Sequence, residues 1–476
     1  MCTRRRSSWL GNYRPTRATE KGLQSGQGSQ QVSSPPIDRS STLNVVGVAL
    51  VGGRGERARP ITLKAPGYLR SKAAISFCGR RVIWWLLKAM RAQGISQFLV
   101  VARGKENRYQ TKMSAGFGEE FGASIRYSPV RFDTLNTGSA DAALRDLDYW
   151  GIDDPVLVFP TDSLFEFSLQ DMFGFHEARG ATMTVATMAR TPAEVVGKYG
   201  VMRSAPDGRV TAFVEKPSRS KLMHPAFGMV RGPEPDREVV WTSAGMYLLD
   251  TLRLRKYGQD PEVLAARQWE LDFGRDLLPW LIHNDASVFT YPASATGDLG
   301  TVDDYLASTV SMLQGGFPSF THLLGPPIDA TRRIWIPPET LQLPDEASGL
   351  TLEEKLDQGL VIIDGNVRLG RYVEVGVGAR LADSNIDDGV EIGAQARVHG
   401  SALRDGARIG ESAVLESAYV GTMCDIDSSP GHPTHIGGGV GLGDEVRIEA
   451  GIQLVGPLAV PPRAALRAGR RRATES

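Results

Sequence analysis

Apolar and polar residues alternate along this chain in two ways, and the pattern changes near residue 360. In the first part, short apolar runs are followed by amphipathic stretches. Val45–Val51, for example, leads through a glycine-rich turn and a basic segment to the helical pattern RRVIWWLLKAM. Uninterrupted aliphatic runs are typical of parallel strands that are buried on both faces. The first part is therefore predicted to be an α/β domain.

Further strands are predicted downstream, and a hairpin among them makes the predicted sheet mixed. The hairpin is Lys198–Pro217, with an Asp-Gly turn at Asp207-Gly208. The other predicted strands are Gln97–Lys105, Ser124–Tyr127, the run Asp154–Ser168 with its strand ending in Thr161-Asp162, Ala181–Arg190 and Trp241–Asp250.

Six-residue repeats dominate the second part, from Val361 to about Val460. The segments VRLGRY, VEVGVG, ARLADS, VEIGAQ, ARVHGS, ARIGES and VRIEAG place an aliphatic and a small residue at nearly fixed offsets. Such a period predicts a parallel β-helix, in which each hexapeptide forms one side of a coil. The loop Ser428–Pro433 interrupts the repeat.

These patterns divide the chain into five segments. Residues 1–42, rich in Ser, Gln, Arg and Pro, are predicted to be a disordered tail, because they cannot bury enough apolar surface to become ordered. A first domain is predicted at 43–315 and a proline-rich linker at 316–360. The β-helix is predicted at 361–460 and a basic tail at 461–476.

Composition and charge argue against several functional classes. Lys plus Arg and Asp plus Glu both number 54, so the formal net charge is zero, and nucleic acid is not expected as a partner. No run of about 18 apolar residues predicts a membrane span, and the basic N-terminus lacks the apolar segment of a secretory signal. Cys2, Cys78 and Cys424 form no metal or disulfide pattern, which suits a reducing cytoplasm.

The glycines after the first apolar run predict an anion site. Gly52, Gly53 and Gly55 allow the backbone to approach a phosphate closely and to aim N–H groups at its oxygens. A dinucleotide site is an alternative, but Ala58 stands where its third glycine would be, and no GK[ST] follows. The glycines alone are also compatible with an ordinary tight turn.

Two more positions have the chemistry of a nucleotide site. Gly138 and Ser139 lie at the start of a predicted helix, where free N–H groups and the helix dipole favour an anion. Asp162 follows a strongly apolar strand, at the end where α/β sheets bind ligands. Both features are also compatible with plain helix capping.

Taken together, GGRGERARPIT, RSKAA and the helix that follows resemble the signature of sugar-phosphate nucleotidylyltransferases. RSKAAISFCGRRVI is similar to the lysine segment of the ADP-glucose pyrophosphorylase branch. This resemblance implies a Rossmann-like mixed sheet followed by a left-handed parallel β-helix. It implies that Arg57 braces the β- and γ-phosphates and that Lys72 neutralises charge on the α-phosphate. Gly52, Gly53 and Gly55 would bind the nucleotide, and Gly138, Ser139 and Asp141 its base and ribose.

The same resemblance implies a metal site and a sugar pocket. Asp162 and Asp298 would bind Mg²⁺, a hard cation that also takes substrate phosphates and waters. Glu215 would contact sugar hydroxyls and Lys216 the sugar phosphate. The implied sugar-pocket residues are Tyr199, Gly200, Glu215, Lys216 and Ser243. The β-helix would support contacts between subunits of a homo-oligomer.

The implied reaction joins an NTP to a sugar 1-phosphate and releases pyrophosphate. Three departures from the family pattern suggest altered substrates: Glu56 replaces Thr or Ser, Ala73 replaces proline, and the segment Ala65–Leu69 is longer than its counterpart. They suit a relative that joins GTP to valienol 1-phosphate, a cyclitol phosphate of aminocyclitol antibiotic biosynthesis.

Four alternatives remain open at the level of the sequence. The first is an ADP-glucose pyrophosphorylase that uses ATP and glucose 1-phosphate, and the second is a catalytically silent regulatory subunit. The third is a nicotinamide-dependent oxidoreductase. The fourth, an acyltransferase using one of the β-helix histidines, has only isolated candidates, which are His399, His432 and His435.

Overall fold

The computed structural model describes residues 43–132, 138–224, 230–231, 238–267, 270–345 and 347–468. The predicted tail at 1–42 lies outside these residues, as do the last eight residues of the predicted basic tail, 469–476. Within the described residues, no helix is both long enough and apolar enough to cross a bilayer.

The apolar runs of the first part form a large mixed sheet with small hairpins beside it. The strands are β1 Val46–Val51, β2 Leu63–Ala65, β3 Tyr68–Leu69, β4 Ser76–Phe77, β5 Arg80–Arg81, β6 Gln97–Ala102, β7 Ser124–Tyr127, β8 Val156–Pro160, β9 Ser163–Glu166, β10 Met183–Arg190, β11 Val201–Ser204, β12 Val210–Val214, β13 Val230–Arg231, β14 Glu238–Leu249, β15 Val288–Pro292 and β16 Ala295–Asp298. The main order is β12-β11-β14-β8-β1-β6-β7, with β10 paired to β14 and β15.

The central strand β1 pairs in parallel with β6 on one side and β8 on the other, and β6 pairs in parallel with β7. Strand β14 runs antiparallel to β8 and to the hairpin strand β11. The prediction of a mixed, Rossmann-like α/β sheet is confirmed.

Helices cover both faces of the sheet, as the doubly apolar strand β1 requires. Its residues Val46 and Val48 join one buried cluster, and Ala49 and Val51 join another. The helices of the described residues are α1 Val82–Ala92, α2 Lys105–Ala115, α3 Ser139–Trp150, α4 Leu169–Ala178, α5 Pro192–Val195, α6 Arg219–Leu222, α7 Thr251–Gly258, α8 Pro261–Arg267, α9 Leu278–His283, α10 Val302–Leu313, α11 Pro318–Thr321, α12 Pro338–Leu341 and α13 Leu352–Asp357. Helix α3 contributes to the first cluster, and α1 and α10 to the second.

The apolar run Asp154–Ser168, in which one strand ending at Thr161-Asp162 is predicted, holds two strands in the structure. It leaves the main sheet after β8, and the rest of the run becomes β9, which pairs antiparallel with β16. The predicted end of the first strand at Thr161-Asp162 agrees with β8, whereas β9 was not predicted, because the apolar pattern after Asp162 does not reveal the change of sheet. Asp162 lies at this break.

The repeats of the second part form three parallel sheets. The strands are β17 Ile334–Trp335, β18 Ile362–Asp364, β19 Val367–Leu369, β20 Glu374–Val375, β21 Arg380–Ala382, β22 Asn385–Ile386, β23 Glu391–Ile392, β24 Arg397–His399, β25 Ala402–Leu403, β26 Arg408–Ile409, β27 Val414–Glu416, β28 Tyr419–Val420, β29 Asp425–Ile426, β30 His435–Gly437, β31 Gly441–Leu442, β32 Arg447–Ile448, β33 Gln453–Val455, β34 Ala459–Val460 and β35 Ala465–Leu466. Their orders are β17-β19-β22-β25-β28-β31-β34, β18-β21-β24-β27-β30-β33 and β20-β23-β26-β29-β32-β35.

The register of these sheets advances by nearly one coil of three hexapeptides at each step. Arg380 pairs with Arg397, and Arg397 pairs with Val414, so 17 residues separate neighbours. Val414 then pairs with His435, 21 residues on, because the loop predicted at Ser428–Pro433 is inserted there. This rotation among three parallel sheets is consistent with the predicted β-helix.

The proline-rich segment between the two parts has short elements of its own. It holds α11, α12, α13 and β17, and its Ile334, Ile336 and Leu352 belong to the buried cluster of the C-terminal sheets. The segment boundaries drawn from the sequence stay a prediction.

Aromatic rings and one ion pair connect the first part to the C-terminal sheets. Tyr305 packs edge-to-face against both Phe77 and Tyr419, with ring centroids 5.5 and 5.4 Å apart. Nearby, Arg70 Nη2 lies 2.5 Å from Asp444 Oδ2, and both side chains are nearly buried. The basic segment before Lys72 is therefore fixed to a coil of the second part.

Candidate functional site

Lys72 and Asp162 meet at the carboxyl edge of the sheet. Lys72 Nζ donates to Asp162 Oδ2 at 2.6 Å, and the side chains are 16% and 30% exposed. Asp162 follows β8, and Thr161 beside it donates its hydroxyl to the Leu50 carbonyl of β1 at 2.9 Å. Two charges from segments 90 residues apart therefore share one cleft.

The glycine loop after β1 turns sharply at Gly55. Gly55 has φ 62°, and a Cβ there would lie 2.6 Å from Cγ2 of Thr62, whose hydroxyl donates to the Gly55 carbonyl at 2.6 Å. This tight turn requires glycine. The exposed Arg57 follows in a short 3₁₀ turn, Glu56–Ala58.

The structure gives each of the three departures a position. Glu56 pairs loosely with Arg59, 3.8 Å away, and both side chains are largely exposed. Ala73 is fully buried beside Lys72. The longer segment forms part of the hairpin of β2 and β3, whose turn is exposed.

Asp298 lies beside Asp162 because β16 pairs with β9. Asp298 is opposite Ser163 in this ladder, and the Leu299 N–H donates to the Asp162 carbonyl at 3.0 Å. Burial raises the pKa of the Asp298 carboxyl, and the negative charges of Asp162 and Asp304 raise this pKa further. The Gly300 N–H, which donates to Asp298 Oδ1 at 2.8 Å, and the Arg57 guanidinium lower it. Arg57 is thus close enough to act on the same carboxylate pair.

The donor set fits a divalent cation that shares its shell with a substrate. Two neighbouring carboxylates are stabilised by a cation that binds beside both of them. Within the described residues, no group of three or more His, Cys, Asp or Glu side chains could hold a metal alone. Mg²⁺ commonly binds through one or two carboxylates plus phosphates and waters. Asp162 and Asp298 therefore suit Mg²⁺ together with a phosphate substrate.

A cavity of about 310 Å³ opens between the glycine loop and α3. Its apolar floor comes from Leu50, Val51, Val101, Ala142 and Pro160, which suits a flat ring. Of the residues predicted from the sequence, it is lined by Gly52, Gly53, Lys72, Gly138, Ser139 and Asp162. Six predicted positions therefore converge, and their individual roles stay predictions.

The start of α3 has a different partner from the one expected. The N–H groups of Ala140 and Asp141 both donate to the Leu271 carbonyl at 3.1 Å. Asp141 itself is fully buried and forms an ion pair with Arg145. The structure does not bring Asp141 to the cavity, so its contact with base or ribose stays a prediction. Gly138 and Ser139 do line the cavity.

The predicted sugar-pocket residues lie together on the neighbouring strands. Gly200 accepts a hydrogen bond from the Ser243 N–H at 2.8 Å, and a Cβ on Gly200 would lie 2.7 Å from Glu215 Oε2. Glu215 pairs with Lys216 at 3.5 Å. Tyr199 lies near the pair of Asp162 and Asp298, with its hydroxyl 3.5 Å from Asp298 Oδ2.

Glu215 is close enough to the cavity wall to feel the charge of one of its lining residues. Burial raises the pKa of Glu215, Lys216 lowers it, and the nearby Asp272, which lines the cavity, raises it. Lys216 has φ 45°, an uncommon conformation for a residue with a side chain. Such strain often accompanies a functional site.

Sequence reasoning missed four charged residues that line the cavity: Arg103, Glu270, Asp272 and Arg275. A signal existed for Arg103, which directly follows the parallel strand β6 and so must lie at the same edge as Gly52. Asp272 caps the helical turn that leads into α9, and its Oδ2 accepts from the Ser139 hydroxyl at 2.6 Å.

Comparisons with known proteins agree with this geometry. Residues 46–315 match the nucleotidyl transferase family. The glucose-1-phosphate adenylyltransferase of Geobacter metallireducens is 28% identical over 292 residues, which are 57% of this chain and 66% of that protein. That of Shewanella amazonensis is 29% identical over 360 residues, 70% of this chain and 79% of its own. Glucose-1-phosphate adenylyltransferase 2 of Vibrio cholerae serotype O1 is 26% identical over 370 residues, which are 73% of this chain and 86% of that protein. The chain thus spans just under two thirds of the Geobacter protein.

Proposed function

Because this chain belongs to the nucleotidyl transferase family, which matches residues 46–315, we propose that it is a sugar-phosphate nucleotidyltransferase. It joins an NTP to a sugar 1-phosphate or a sugar-like cyclitol 1-phosphate and releases pyrophosphate. The observation that carries this proposal is the 2.6 Å contact of Lys72 with Asp162 at the mouth of the glycine-loop cavity.

The reaction forms one P–O bond and breaks another. A phosphate oxygen of the acceptor attacks the α-phosphorus in line, and the bond to the pyrophosphate oxygen breaks. The acceptor phosphate is already mostly ionised at neutral pH, since the second pKa of such a group is about 6, so no general base is needed. The protein supplies position and positive charge, which dominate phosphoryl-type transfer.

Each predicted residue then has a defined task. Lys72 exchanges Asp162 for the α-phosphate, and Arg57 holds the β- and γ-phosphates over the glycine loop. Bound between Asp162 and Asp298, Mg²⁺ would neutralise phosphate charge. Glu215, Lys216 and their neighbours hold the acceptor.

For the specific substrates, we propose GTP and valienol 1-phosphate, which would place the enzyme in aminocyclitol antibiotic biosynthesis. Support comes from the departures at Glu56 and Ala73 and from the surface hairpin of β2 and β3. The alternative is ATP with glucose 1-phosphate, which the names of the relatives favour. A silent regulatory subunit is less well supported, because Lys72, Asp162 and Asp298 converge in one cleft, which such a subunit does not require.

The proposal extends to the organisation of the protein. The three C-terminal sheets would form a left-handed parallel β-helix that joins subunits of a homo-oligomer. A cytoplasmic location is in keeping with Cys78 and Cys424, the cysteines among the described residues, which are buried free thiols.

Pyrophosphate release from a panel of NTPs tests this function. Each of ATP, GTP, CTP and UTP is paired with glucose 1-phosphate and with valienol 1-phosphate, with and without Mg²⁺. Nucleotide- and acceptor-dependent release supports the reaction class, and the best pair identifies the substrates. Use of ATP with glucose 1-phosphate alone would contradict the guanylyl proposal, and no release with any pair would contradict the enzyme itself.

A further inference from the structure

We infer that Glu270 and Arg103 read the Watson–Crick and Hoogsteen edges of the nucleotide base and select guanine. The inference rests on the proposed nucleotide site and assigns the base specificity of that site to two residues. It comes from the charges on the cavity wall, their existing partners and the order of the strands.

Among the described residues, three carboxylates line the cavity, and two of them already have close partners. Asp162 accepts from Lys72, and Asp272 accepts from the Ser139 hydroxyl and from the N–H groups of Gly274 and Arg275. Glu270 has only a loose contact among the described residues, because its Oε1 lies 3.5 Å from Arg103 Nη2. Glu270 is therefore the wall carboxylate best able to accept hydrogen bonds from a ligand.

Strand order places this pair away from the phosphate-binding groups. Across the edge of the sheet, Asp162 follows β8, Gly52 follows β1 and Arg103 follows β6. Neighbouring strands are about 4.8 Å apart, so Arg103 begins roughly 10 Å from Asp162, with the glycine loop between them. A nucleotide whose phosphates lie at Lys72 and the loop can thus extend its base towards Arg103 and Glu270.

The backbone holds Glu270 in this position at a conformational cost. Glu270 has φ 75°, in the left-handed region that a residue with a side chain seldom adopts. Its carbonyl accepts from Arg275 Nη2 at 2.5 Å. A Cβ on Gly138 would lie 2.5 Å from the Glu270 carbonyl oxygen, so glycine is needed for the close approach of this segment to the start of α3. Strain maintained by surrounding contacts is typical of ligand-binding residues.

The pair matches guanine at more hydrogen-bonding positions than adenine. Guanine donates from N1–H and its N2 amino group, which a carboxylate accepts, while O6 and N7 accept from a guanidinium. Adenine has an acceptor at N1 and no N2 amino group. It offers one donor, the N6 amino group, beside a single acceptor at N1 or N7, so adenine can form only one bond to each side chain where guanine can form two.

Calorimetric binding of GTP, ITP and ATP to the full chain tests the inference without requiring turnover. Inosine keeps N1–H, O6 and N7 and lacks the N2 amino group, so ITP isolates one of the two bonds to Glu270. Wild type should bind GTP most tightly, ITP next and ATP least. In Glu270→Gln, GTP affinity should fall about tenfold to a hundredfold, the range of a bidentate base contact, and the GTP–ITP difference should shrink, because the amide keeps one acceptor oxygen in place of two.

A second variant and a matched control complete the design. Arg103→Gln should weaken GTP and ITP equally, because both bases keep O6 and N7. Glu177→Gln, an exposed position on α4, should bind all three nucleotides as wild type does. Equal affinities for GTP and ATP in wild type, or an unchanged GTP–ATP ratio in Glu270→Gln, would overturn the inference. Selective GTP binding without pyrophosphate release would support the base assignment and contradict the proposed enzyme. Pyrophosphate release with ATP alone would support the nucleotidyltransferase reaction and overturn the base assignment.

Discussion

Replacing Lys72 with alanine separates a catalytic role from a structural one. The ammonium group lies 2.6 Å from Asp162, and its side chain is 16% exposed, so it is largely shielded from water but not deeply buried. Loss of one preorganised charge or donor at a reacting centre typically lowers kcat by 10²- to 10³-fold, about 2.7–4 kcal/mol. We expect Lys72→Ala to lower kcat by about 10²-fold or more.

Stability should respond much less than catalysis. Asp162 is 30% exposed, so its carboxylate can be hydrated once the lysine is gone, and the pair should contribute no more than about 1 kcal/mol to folding. Pyrophosphate release measures kcat, and thermal melting in the same buffer measures folding. Lys64→Ala, at an exposed lysine on the β2 strand, is the control and should match wild type in both assays.

Wild-type-like turnover in Lys72→Ala would refute the assignment of the lysine to the α-phosphate. A fall in kcat together with a large drop in melting temperature would refute the claim that the Lys72–Asp162 pair contributes little to folding, because the loss of activity would then follow from unfolding. Recovery of turnover in Lys72→Arg would show that positive charge suffices, whereas a poor recovery would show that the compact ammonium group is required.

Three further predictions concern charges around the site and the core. Asp304→Asn removes a negative charge that raises the pKa of Asp298, so the acid limb of kcat/KM should move to lower pH, while Asp303→Asn should leave it in place. Arg70→Met leaves Asp444 nearly buried without its partner and should lower the free energy of unfolding by about 3 kcal/mol in denaturant titrations; Asp444→Leu added to it should restore part of this loss. Burial lowers the pKa of His176 to about 4, below its ordinary 6.5, so the folded state stays neutral where the unfolded chain takes up a proton. The neutral buried histidine therefore contributes fully to the free energy of unfolding above pH 6.5, and this free energy should fall by about 2 kcal/mol between pH 7.5 and 5. If the free energy of unfolding of a His176→Gln variant depended on pH as that of wild type does, the prediction would be contradicted.

The sheet and the convergence of the site could be predicted because they depend on local patterns. Val45–Val51 is apolar on both faces, which indicates a central parallel strand, and parallel strands place their following loops at one edge. The glycine loop after β1 and Asp162 after β8 had to meet there. The hexapeptide period likewise predicted the C-terminal sheets, since each repeat carries its own inward aliphatic residue.

Partners that are distant in the chain could not be predicted. Asp141 was expected at the nucleotide, but which side of α3 faces the cavity depends on packing against the sheet, and the structure buries it with Arg145. The Leu271 carbonyl occupies two N–H groups of α3 from 131 and 130 residues away, counted from Ala140 and Asp141. No local pattern reveals such a contact. For the same reason Glu270 is visible only once the cavity wall is assembled.

The contacts between the two parts of the chain include a residue close to Lys72. Arg70 Nη2 contacts Asp444 of a C-terminal coil at 2.5 Å, and Nη1 of the same guanidinium donates to the Ile61 carbonyl at 3.0 Å. Its backbone N–H donates to the Thr62 carbonyl at 2.8 Å, and Thr62 in turn holds Gly55. One arginine, two residues before Lys72, thus connects the C-terminal sheets to the far end of the glycine loop. Because charge placement dominates the proposed chemistry, a shift of this contact would move the lysine and the loop together rather than either one alone. Through Arg70, the C-terminal part therefore holds the segment that carries Lys72 in position. Within the described part of the chain, no residue of the C-terminal sheets lines the cavity itself.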